Sequence, residues 1–219
     1  MPEAIYRSLP VSASGEVEPS ASVRTVLELV ERVNSIVIGP GLGHTPANSE
    51  FLSTLLSQID DEMPLVLDAD ALNILSKSHK WWERLENSAI LTPHPGEMGR
   101  LMGIAAAEVQ QDRGSVALEA AGKFGKVVVL KGAATLIAAP DGRLMVSPWV
   151  NSGLAKGGSG DVLAGLIGGL LAQQPENVFE MASLAVFVHG YAAEAARDEL
   201  GETGMRATDI SDRLGYFSR

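Results

Sequence analysis

Twenty-three residues, 151–173, hold the densest chemistry of the chain: Asn151-Ser-Gly-Leu-Ala-Lys156-Gly157-Gly158-Ser159-Gly160-Asp161, then an apolar run to Gln173. Glycine permits backbone angles closed to other residues and lets a ligand approach the main chain closely. In the second half Val162, Leu166 and Leu170 form one four-residue row, and Leu163, Ile167 and Leu171 the next, which predicts a helix. With nearly every side apolar, that helix is expected to be buried. Free N–H groups leading into a helix N-terminus make an anion site, because the unsatisfied donors and the helix dipole point the same way. Asp161 is either a base beside that anion or an ordinary first-turn acid. The stretch is not a Walker A loop, since Lys156 precedes the glycine pair, and leucine at 163 breaks the dinucleotide pattern G-x-G-x-x-G.

Four more polar clusters follow short apolar runs: Gly39-Pro-Gly41-Leu-Gly43, Asp68-Ala-Asp70-Ala-Leu-Asn73, Thr92-Pro-His94-Pro-Gly-Glu97 and Lys131-Gly132-Ala133-Ala134-Thr135. Singly, each has a plain structural reading. Asp68 and Asp70 suit the cap of a following helix, and Glu97 suits a first turn or the side of a metal. His94, fixed between two prolines, is expected to be rigid and exposed. Lys131 ends an apolar strand, where a bare ammonium is costly unless it meets an anion or a carboxylate. His44, His79 and His189 have no sequence neighbours that suggest a site.

The elements that must position these clusters alternate strand and helix. Strands are expected at 36–38, 65–67, 89–91 and 127–130, with a hairpin from 136–139 to 144–147 across Pro140-Asp141-Gly142. Helices are expected from Ser22, over 49–59, 107–124, 178–200 and 208–214. Thr25 and Glu28 have capping-box spacing, and residues 1–20 read as a loose lead-in. Continuous apolar strands between helices mean a mainly parallel sheet covered on both faces, an α/β fold. In such sheets ligands bind outside the carboxyl ends of the strands, and right-handed crossovers bring all four clusters to one edge beside the glycine-rich loop. At 219 residues the chain suits one domain. It has no cysteine, which excludes disulfides and thiolate metal sites, and no apolar run of membrane-spanning length. A net charge of −10 argues against a nucleic-acid surface. For an anionic ligand, backbone amides, one or two lysines and a bound cation must supply the local positive field. With no leader signal, the cytoplasm is the expected location.

Together, Gly39-Pro-Gly-Leu-Gly43, Asp68-Ala-Asp-Ala-Leu72, Thr92-Pro-His-Pro-Gly-Glu97, Lys131-Gly-Ala-Ala-Thr135 and Gly157-Gly-Ser-Gly-Asp161 resemble the NAD(P)H-hydrate dehydratases, metabolite-repair enzymes with a ribokinase-like fold. The resemblance runs in unbroken order from Ile36 onward. It implies that Lys131, Gly132, Ala133, Ala134 and Thr135, with Gly158, Ser159 and Gly160, contact the nucleotide. It implies that Gly41 or Gly43, His94 and Asp161 contact the hydrated dinucleotide, and that Asp161 is the catalytic base. No residue is assigned to a metal. ADP, or ATP, is the implied phosphoryl donor and Mg²⁺ the implied cofactor. The ring hydroxyl of the hydrate would be phosphorylated, phosphate would leave, and NADH or NADPH would be restored. Homo-oligomers and a functional pairing with NAD(P)H-hydrate epimerase are also implied. Two departures stand out. Alanine fills position 134, where the family often has glycine, and only residues 1–20 precede the first helix, where the family carries another strand–helix–strand portion. That shortness is expected to leave a sheet edge or apolar surface uncovered. The alternatives are a small-molecule kinase of the same fold and an inactive nucleotide-binding subunit.

Overall fold

The computed structural model describes residues 4–215. Four strands alternate with helices: β1 (Ile36–Ile38), β2 (Leu65–Leu67), β3 (Ala89–Leu91) and β4 (Val127–Leu130). They lie side by side in sequence order and run parallel, with Ile38 opposite Leu67 and Leu67 opposite Leu91. Two antiparallel strands, β5 (Leu136–Ala138) and β6 (Leu144–Val146), complete a six-stranded mixed sheet. The α/β expectation holds: the strands of a mainly parallel sheet alternate with helices.

Alternate side chains of the strands feed two cores. Leu65, Leu67, Leu91, Val128 and Leu130 pack with α1 (Pro19–Val30), α2 (Pro46–Leu56), α3 (Asp70–Leu75), α4 (Pro95–Met102) and α6 (Arg113–Phe124). On the other face, Val66, Ile90, Val129 and Ile137 pack with α7 (Ser159–Leu171) and α8 (Val178–Gly204). Sheet and helices therefore make three layers, with β1 and β6 as the two edges.

Several boundaries differ from expectation, each for a local reason. α1 opens at Pro19, whose fixed φ suits a first helical position, so Thr25 lies inside the helix and its hydroxyl donates to the Ala21 carbonyl. Residues ahead of it are not wholly loose, since Val11 and Val17 form an antiparallel bridge. The helix expected over 107–124 is two, α5 (Ala106–Gln111) and α6, because Asp112 leaves helical geometry and its carboxylate caps Ser115 N–H. α7 is not buried all round: Asp161, Gly165 and Gly169 make an exposed stripe. α8 runs as expected to Leu200, then kinks at Gly201, and α9 (Ala207–Ser211) follows.

Candidate active site

The four strand-end clusters meet at one edge of the sheet, as topology requires. Buried Asp68 ends β2 and receives Lys131 from the end of β4, with Nζ 2.7 Å from Oδ1. Lys131 also lies 3.9 Å from Glu97 of α4. The ammonium expected to need a carboxylate thus has two. Asp68 does not cap α3 with its side chain, because its carboxylate is turned to Lys131. Asp70 does not cap either. Its Oδ2 accepts the Gly43 N–H at 2.7 Å, and its Oδ1 lies 3.5 Å from His44 Nδ1.

His94 is the N-cap of α4. Its Nδ1 accepts from the N–H groups of Gly96 and Glu97, while Glu97 Oε2 accepts the His94 N–H in a capping box. With Nδ1 used as an acceptor, a neutral ring carries its proton on Nε2, which lies 3.5 Å from Glu97 Oε1.

The Lys131 to Thr135 segment joins β4 to antiparallel β5 as the loop of a hairpin. Ala134 takes the left-handed conformation, φ 50°, at the position where alanine stands for the usual glycine. An L-residue there costs about 1–2 kcal/mol relative to right-handed backbone. The loop is fastened by Ala134 N–H to Trp149 O and by Ser147 N–H to Thr135 O.

Facing this hairpin is the start of α7. Its N-cap is Gly158, without a side-chain cap. The N–H groups of Gly157, Gly158, Gly160 and Asp161 have no acceptor among the described residues. A side chain added at Gly160 would stand 3.4 Å from Lys131 Nζ, so cation and free amides adjoin. Asp161 is exposed and its carboxylate has no partner among the described residues; it does not cap α7. Lys156, by contrast, is fully engaged. Its Nζ donates to the carbonyls of Glu202, Thr203 and Met205, which leaves Lys131 as the lysine turned to the free amides.

A cavity of about 600 Å³ opens between these parts. It brings together His94, Lys131, Gly132, Ala133, Thr135, Ser159 and Gly160 of the expected residues. Ala134, Gly158 and Asp161 adjoin that lining without being part of it, and Gly41 and Gly43 belong to the β1 end of the same edge. Sequence reasoning missed Trp149, whose indole donates to Phe187 O, and His189. His189 Nε2 lies 3.0 Å from the Ser159 carbonyl, and burial pulls its pKa down to about 4, so the ring is neutral and donates. The only sequence signal for it was its place in an otherwise apolar face of α8.

A family model described as NAD(P)H-hydrate dehydratase matches residues 2–215. The chain is 40% identical over 217 residues to the bifunctional NAD(P)H-hydrate repair enzyme Nnr of Moorella thermoacetica, covering 99% of this chain and 40% of that protein. It is 42% identical over 198 residues to the ADP-dependent (S)-NAD(P)H-hydrate dehydratase of Neisseria meningitidis serogroup B, covering 88% of this chain and 66% of the relative. The structure of the ADP/ATP-dependent NAD(P)H-hydrate dehydratase of Bacillus subtilis, co-crystallised with ATP and Mg²⁺, matches with a TM-score of 0.74 and 38% identity, over 84% of this chain and 63% of that one. This chain therefore spans 40% of the length of the first bifunctional relative and 66% of the single-activity one.

Proposed function

Because this chain belongs to the NAD(P)H-hydrate dehydratase family, we propose that it restores NADH or NADPH from the hydrated forms at the cost of a nucleotide phosphoryl group. The observation that carries the reading is the pairing of unpartnered groups at the start of α7: four free amides beside Lys131, and a free carboxylate on Asp161 in the same turn. Phosphoryl transfer asks a protein chiefly for positioning and charge neutralisation. The hairpin loop 131–135 and the cavity beside it hold the nucleotide, and the amides of Gly158 and Gly160 receive the transferred group. Asp161 takes the proton of the ring hydroxyl as its oxygen attacks phosphorus and the bond to the nucleotide breaks. Phosphate then departs with the C–O electron pair, and loss of a ring proton restores the double bond. His94 Nε2–H and the turn at Gly41 and Gly43 hold the hydrate.

Among the described residues no three His, Asp or Glu side chains gather as a metal cage, and Asp68 and Glu97 are turned to Lys131. This fits Mg²⁺ carried on nucleotide phosphates and water rather than in a protein cage. When bound, it supplies further charge neutralisation at the transferred group. Relatives named as bifunctional repair enzymes carry a second activity on one chain, in keeping with a pairing with an epimerase; a homo-oligomer in the cytoplasm completes the reading. No helix among the described residues is long and apolar enough to cross a membrane.

The deciding experiment incubates the chain with prepared hydrate and ADP or ATP in parallel, following the absorbance of reduced nicotinamide. Nucleotide-dependent recovery is expected. Binding of nucleotide with no recovery, in the presence of Mg²⁺, would reject the dehydratase reading.

A further inference from the structure

We infer that Arg113 is a positioning residue for the nucleotide, a role that rests on the reading of 131–135 as the nucleotide loop. Arg113 begins α6 and is not among the residues that line the cavity. One terminal nitrogen, Nη2, donates to the carbonyls of Leu130 at 3.0 Å and Lys131 at 3.3 Å, and the other, Nη1, donates to the carbonyl of Ala133. A guanidinium suits this task because its donors form a rigid planar fork, whereas an ammonium is a single point charge.

The consequence for the loop follows from peptide geometry. No peptide bond among the described residues is cis, so the C=O and N–H of each unit point in opposite directions. Holding the Lys131 carbonyl turns the next N–H, that of Gly132, away from Arg113; Gly132 lines the cavity, and its N–H has no acceptor among the described residues. Holding the Ala133 carbonyl turns the Ala134 N–H toward Trp149 O, 3.2 Å away, which fixes the left-handed residue. Glycine is favoured at 132 by its φ of 144°, and the fork lies close to the backbone there, since an added Cβ would stand 2.9 Å from Nη2. No carboxylate pairs with Arg113 among the described residues, so its charge remains uncancelled beneath a loop that receives an anion. In a chain of net charge −10 that placement matters.

The test measures ADP affinity by calorimetry, with turnover of hydrate as a function of ADP. Arg113→Met is expected to weaken ADP binding about ten-fold, the usual consequence of removing hydrogen bonds from a charged donor. Turnover at saturating ADP should remain within about two-fold, because a positioning loss falls on binding rather than on chemistry. Adding Ala134→Gly should recover part of the affinity, since glycine holds the left-handed turn without strain; a role confined to anchoring α6 would show no such recovery. If Arg113→Met unfolds, Arg113→Lys keeps stem and charge without the fork and should show the same affinity loss. ADP affinity unchanged in these variants, or a loss that Ala134→Gly leaves untouched, overturns the inference. Failure of the unaltered chain to bind ADP at all would instead reject the functional reading beneath it.

Discussion

Two glycine-rich turns face each other across the ligand edge, at residues 39–43 and 157–160, and they use glycine for opposite reasons. In the first, Gly39, Gly41 and Gly43 all have positive φ, at 131°, 68° and 74°. A Cβ on Gly39 would fall 1.7 Å from the Asp68 carbonyl oxygen, so the turn is pressed against the neighbouring strand end. Three of its bonds are internal: Leu42 N–H donates to Gly39 O, Gly43 N–H to Asp70, and Asn48 to Leu42 O. In the second turn only Gly158 has positive φ, and a Cβ on Gly157 would meet nothing. Its amides are left open, and its shape is imposed from outside by Lys156 on the end of α8, by Ser152 on Glu202, and by Gly153 against Met205. One turn is packed; the other is held in readiness. Similar composition thus hides one turn locked by its neighbours and one whose amides stay open.

The largest effect that would sharpen this contrast is on folding. Gly39→Ala sets a Cβ into backbone and is expected to destabilise by more than about 4 kcal/mol, a size reserved for such direct conflicts. Thermal unfolding of the variant checks it, and a near-normal melting temperature would show that the first turn yields. Next comes acid. His189 holds the open turn as a neutral donor to Ser159 O, with its pKa lowered from 6.5 to about 4. The unfolded chain therefore binds the proton first as pH falls from 6.5 to about 4, and stability drops across that window. A shift of that size corresponds to roughly 3 kcal/mol, and the decline should be smaller in His189→Gln, measured by denaturant unfolding at each pH.

Asp161→Asn tests the open turn by chemistry. It keeps shape, so fold and ADP binding should survive, while turnover falls by at least about 10²-fold, the lower range for a lost general base. Repair at near-normal rate would make Asp161 a helix-start acid after all. Smallest is Gly157→Ala, expected to change stability by less than about 0.5 kcal/mol. A large loss there would end the distinction between the two turns.

How much of this was legible follows the same division. Short continuous apolar runs and the order of the polar clusters after them located β1 to β4 and their common edge, because burial on both faces and crossover handedness are strong constraints on a chain. Lys131 was recognisable as a cation in need of a carboxylate, yet nothing local said that Asp68, 63 residues earlier, would supply it. Arg113, Trp149 and His189 were invisible for that reason: each acts on a segment far away in sequence through a side chain whose type alone carries no signal. Lys156 is a further case: its place before the glycine pair excluded a Walker A loop but did not show that its three donors close the end of α8. The break at Asp112 was missed because helical periodicity continues on both sides of it.

The switch from parallel to antiparallel pairing at β4 has a consequence in time. β4 and β5 pair across five residues, 131–135, and β5 and β6 across five more, 139–143, whereas β3 must wait for 35 intervening residues before it meets β4. Closing a short loop costs less chain entropy than closing a long one, and local pairings form first on that account. The meander from β4 to β6 is therefore the segment best suited to close early during folding, and the proposed nucleotide loop is its first turn. Only later do the crossovers bring Asp68 beneath Lys131 and the start of α7 into place opposite. The cradle would exist, in outline, before the rest of the fold around it.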